Sequence, residues 1–97
     1  MQMQVALAAA ARMRHFMTMP VIFRHAGFRF FFYSNEGNPR EPVHVHVRKD
    51  DSEAKFCLNP VSLASSDNLD ARALKELAKI VEKNSRVLER AWHEYFG

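Results

Sequence analysis

The run Pro42-Val43-His44-Val45-His46-Val47-Arg48 constrains this chain more than any other stretch. Strand geometry repeats every two residues, so Val43, Val45 and Val47 go to one face and His44, His46 and Arg48 to the other. Such a strand lays its valines on a core. It holds two imidazoles and a guanidinium on the opposite side, toward solvent or a partner. The pattern therefore calls for a sheet with one buried face, and it makes the histidine face the candidate site.

The next strand follows by arithmetic. With Asp50-Asp51 as a two-residue turn, Lys49 pairs with Ser52, Arg48 with Glu53, Val47 with Ala54, His46 with Lys55, Val45 with Phe56, His44 with Cys57 and Val43 with Leu58. The valines then meet Ala54, Phe56 and Leu58, whereas the histidines and Arg48 meet Glu53, Lys55 and Cys57. A slip of one residue would bury charge, which fixes the register.

Upstream, Val21–Arg24 and Phe28–Tyr33 flank His25-Ala26-Gly27 and read as a hairpin. Ser34–Pro42 is dense in turn-forming residues and reads as a loop. Downstream, Asn59-Pro60 ends the second strand of the histidine hairpin, and Val61–Asn68 reads as an irregular connection. From Asp70, read as an N-cap, the period becomes helical, with Leu74, Leu77, Ala78 and Val81 on one stripe. Lys83-Asn84-Ser85 interrupts that stripe before Val87, Leu88, Ala91, Trp92, Tyr95 and Phe96. One helix or two is left open. The expected fold is α+β: a small antiparallel sheet of about four strands, with one or two C-terminal helices packed on one face.

A chain of 97 residues, 47% hydrophobic, forms one domain with a modest core. Residues 1–18 are rich in Ala and Met, contain no acid and precede Met19-Pro20. They are expected to be an N-terminal extension, disordered or not native, ahead of a single domain at 19–97. Their Arg12 and Arg14 account for two of the net +3 charges, so the domain itself is close to neutral. Bulk polyanion binding is therefore not expected, and any basic character must come from local clustering. The apolar run Val5–Ala11 is too short to span a bilayer and lacks a charged region ahead of it, so neither membrane insertion nor a secretory signal is expected. A lone cysteine, Cys57, fits a reducing cytoplasm.

Three chemistries suit the histidine face. In the first, His44 and His46 are catalytic, Arg48 and Lys55 bind phosphate or RNA, and no metal or cofactor takes part. The activity implied is that of a metal-independent ribonuclease. In the second, the domain is an interaction module that binds a cognate small protein or a second copy through this face or an edge strand. In the third, His44 and His46 hold a metal with a third ligand from Glu41, Glu53 or Cys57. Lys55 and Arg48 favour the anion over the cation. Trp92, Tyr95 and Phe96, at helical spacing, are expected to dock the terminal helix rather than stack bases.

Several of these stretches together resemble a known family. Met19-Pro20-Val21-Ile22, Asn35-Glu36-Gly37-Asn38-Pro39, the Pro42–Val47 run, Glu53-Ala54-Lys55-Phe56 and a tail with Leu88, Trp92, Glu94, Tyr95 and Phe96 are similar to the small bacterial proteins of domain-of-unknown-function family 4160. The resemblance covers Met19–Gly97. It implies a bacterial protein often encoded beside another small protein, in the manner of a toxin–antitoxin component. It brings no established activity, and its His-X-His motif falls on His44 and His46.

Overall fold

The computed structural model describes residues 21–37 and 39–97; the reading of residues 1–18 falls outside them. Five strands follow one another: β1 (Val21–His25), β2 (Phe28–Phe31), β3 (His44–Lys49), β4 (Ser52–Leu58) and β5 (Val61–Asp67). They form an antiparallel meander in which each strand pairs with the next, placing β3 at the centre. Two helices follow among the described residues, α1 (Ala71–Lys83) and α2 (Ser85–Phe96).

The β3–β4 register is the one read from the sequence, from Lys49 opposite Ser52 to His44 opposite Cys57. It extends one step further through the Leu58 N–H, which donates to the Val43 carbonyl. The valine face is the core: Val45, Val47, Ala54, Phe56 and Leu58 pack against Leu77, Val81, Leu88, Ala91 and Trp92 of the helices. Asp70 caps α1 by accepting from the Ala73 N–H at 2.8 Å. The open question of the C-terminal segment resolves into two helices: Asn84 ends α1, its side-chain amide donating to the Ile80 carbonyl at 2.8 Å.

The stretch expected to be an irregular connection is instead mostly the fifth strand. β5 is laddered to β4 from Leu58–Val61 to Glu53–Asp67, with one irregularity between Lys55 and Phe56. Ser62 to Asp67 are all exposed, so no buried face imposes the alternation by which strands are recognised. Only the backbone ladder defines this strand.

Candidate metal centre

The histidine face does not look into solvent. His44 is 1% exposed and His46 7%, so the face read as turned to solvent or a partner is covered within the chain itself. The cover has two sources. Phe31 of β2 stacks on His46 with ring centroids 5.5 Å apart, and Tyr33 meets it edge-on at 4.5 Å. From α2, Trp92 packs on His44 at 4.8 Å. Between these, the chain beyond β2 enters a 3-10 turn at Ser34–Glu36 and carries the Glu36 side chain, itself buried, onto both imidazoles.

The loop that does this is closed by its own backbone. The Glu41 N–H donates to the Glu36 carbonyl at 3.0 Å, and Gly37 bridges Arg40. Gly37 lies against the Phe96 ring, where a β-carbon would collide, so this position demands glycine. Arg40 donates to the carbonyls of Phe96 and Gly97, each at 2.8 Å, tying the loop to the end of α2.

At the centre, Glu36 Oε2 lies 2.6 Å from His46 Nε2 and 2.9 Å from His44 Nε2. These three donor groups lie within 4.8 Å of one another. His44 Nδ1 is 2.7 Å from the Pro42 carbonyl. A carbonyl only accepts, so Nδ1 carries a proton, as an imidazole that ligates through Nε2 requires. That Nε2 is buried and, although 2.9 Å from Glu36 Oε2, makes no hydrogen bond. His46 donates from Nε2 to Glu36, while its buried Nδ1 faces Glu53 Oε2 at 3.4 Å without a hydrogen bond. Tyr33 donates its hydroxyl to the same Glu53 oxygen at 3.3 Å.

Burial pushes the Glu36 carboxyl toward neutrality, but contacts from His44 and His46 and the Tyr33 N–H outweigh it, leaving its pKa at about 2. The fold therefore holds a buried negative charge against two imidazoles. Partial burial, together with the charge and hydrogen bond of Glu53, raises the Tyr33 phenol.

The structure brings His44 and His46 together on one carboxylate and leaves Arg48 and Lys55 at the rim. Lys55 Nζ is 3.6 Å from Glu41 Oε1, and Arg48 is 4.0 Å from Glu53. Both cations thus face acids. A hollow of about 280 Å³ lies against His46, lined also by Glu53, Lys55, Ser65, Ser66 and Asp67. Glu36 is the residue that sequence reasoning missed. It sits in a loop with no period, and the only clue is the turn-rich composition of that loop just ahead of the histidine strand.

Fold and site together define a small α+β domain with a buried carboxylate between two histidines. The profile of the family described as Domain of unknown function (DUF4160) matches residues 27–93, and the chain belongs to that family. Neither the curated proteins nor the solved structures contain a match. Among the described residues, no helix is long and apolar enough to cross a membrane.

Proposed function

We propose that this domain binds a divalent transition-metal ion through Glu36, His44 and His46, in place of the metal-free face expected from sequence. One observation carries the reading: both imidazoles aim Nε2 at the same carboxylate and turn Nδ1 toward an acceptor, the Pro42 carbonyl for His44 and Glu53 for His46. His44 is held as metal-binding histidines are, the outer nitrogen giving its proton to a carbonyl while the inner one ligates; His46, which donates from Nε2 to Glu36, would reach the same state by shifting its proton to Nδ1 beside Glu53. Two imidazoles and a carboxylate suit zinc or ferrous iron and leave coordination positions open.

The phosphate reading fares less well on the same ground. An anion would have to approach Glu36, Glu41 and Glu53, with Lys55 and Arg48 already facing acids. The two readings also differ in their response to pH. Isothermal titration of chelator-treated protein with zinc is expected to give one site, tighter at pH 8 than at pH 6, because ligation needs imidazoles free of the proton at Nε2. It is expected to be lost in His46→Ala. Absence of zinc binding, with phosphate or short RNA binding more tightly toward pH 6, would restore the anion reading.

A second reading rests on β5. Its outer edge is unpaired among the described strands, and it bears neither proline nor lysine, the usual guards against strand addition. We propose that the small-protein partner implied by the family resemblance adds a strand here, as in a toxin–antitoxin pair. Co-purification with the product of a neighbouring gene is expected to be lost in Leu63→Lys, whose residue is exposed. Undiminished capture by that variant would rule this edge out.

A further inference from the structure

Resting on the metal reading, we infer that Glu41 is a fourth ligand, held aside by Lys55 until a cation arrives. The backbone bond from the Glu41 N–H to the Glu36 carbonyl makes these two acids the two ends of one closed loop. Both ends deliver a carboxylate to the same imidazole. His44 Nε2 lies 2.9 Å from Glu36 Oε2 and 3.9 Å from Glu41 Oε1. That nitrogen is buried and makes no hydrogen bond to either.

Ligands about 2.0–2.1 Å from a shared tetrahedral centre stand roughly 3.3 Å apart. Against that spacing Glu36 is too close to His44 and Glu41 too far from it, each by well under about 1 Å, and Glu41 stands outside the cluster that Glu36, His44 and His46 already form, so it must swing in. An entering cation would therefore push the first carboxylate outward and draw the second inward. Buried Glu36 need give only a few tenths of an ångström, whereas the Glu41 side chain is 42% exposed and its oxygen instead faces Lys55 Nζ at 3.6 Å. Exposed ion pairs of this kind are weak, typically under about 1 kcal/mol, so Lys55 gives up the carboxylate at little cost. The bound site then has two imidazoles and two carboxylates, with Lys55 released toward the hollow beside His46.

The test uses the full chain, with zinc affinity measured by competition with a chelator and coordination read from the visible spectrum of the cobalt(II) form. Glu41→Gln is expected to weaken zinc at least about tenfold, the lower limit seen even for residues behind the ligands. It should also change the cobalt spectrum, while the melting temperature of the metal-free protein stays as it was. Lys55→Met is expected to tighten zinc and to keep the wild-type spectrum. If the wild-type chain binds no zinc, the metal reading fails and this inference fails with it. If it binds, and Glu41→Gln matches it in affinity and spectrum, the metal reading stands and ligation by Glu41 is overturned. Weaker binding with an unchanged spectrum would assign Glu41 a field effect alone, and overturns ligation equally.

Discussion

Trp92→Ala is expected to remove about 3–5 kcal/mol, the range for deleting a large aromatic from a packed core. Trp92 is fully buried and touches Phe32 at 5.1 Å, Phe96 at 4.4 Å and His44 at 4.8 Å between ring centroids. It therefore joins α2 to the end of the sheet and also forms one wall of the candidate site. Domains of this kind have about 5–15 kcal/mol in total, so the variant should be close to unfolding at 37 °C. Urea unfolding measures the loss directly, and a change under about 1 kcal/mol would mean that α2 is not docked as described. In protein that stays folded, zinc binding should weaken as well, since His44 loses the ring that holds it.

Glu36→Ala is expected to cost a further amount of the same order, about 3–5 kcal/mol, because removing one partner of a buried charged cluster strands the others. Its dependence on pH is distinctive. The Glu36 pKa falls from 4.5 to about 2 on folding, so the folded state favours the ionised form. The stabilisation is complete above pH 4.5 and is lost as the pH falls from there toward 2. A shift of that size corresponds to about 3 kcal/mol. Unfolding of chelator-treated protein at pH 6 and pH 3 should therefore show a larger acid loss in the wild type than in Glu36→Gln. Equal losses would mean that the carboxylate is not held charged between the histidines.

The sequence made the centre of this fold legible because local chemistry and turn length agreed. Asp50-Asp51 set the hairpin, and the valine–alanine–phenylalanine pairing left one register for β3 and β4. It also named two of the three convergent donors, His44 and His46. What stayed hidden was non-local. The cover on the histidines comes from Phe31, from a loop without periodicity and from Trp92, dozens of residues away in sequence. No strand rule says which of two faces a distant helix or loop will close. Glu36 was hidden for the same reason, because its position depends on loop closure between Glu36 and Glu41. β5 escaped notice because an exposed edge strand has no buried side to imprint a pattern.

Anomalous diffraction from a crystal soaked in zinc shows whether Glu36, His44 and His46 form a metal centre. An anomalous peak is expected at the zinc edge about 2.0–2.2 Å from a Glu36 carboxylate oxygen and from Nε2 of His44 and His46. A map with no peak there, and with Glu36 still hydrogen-bonded to His46, would leave the cluster a structural clasp.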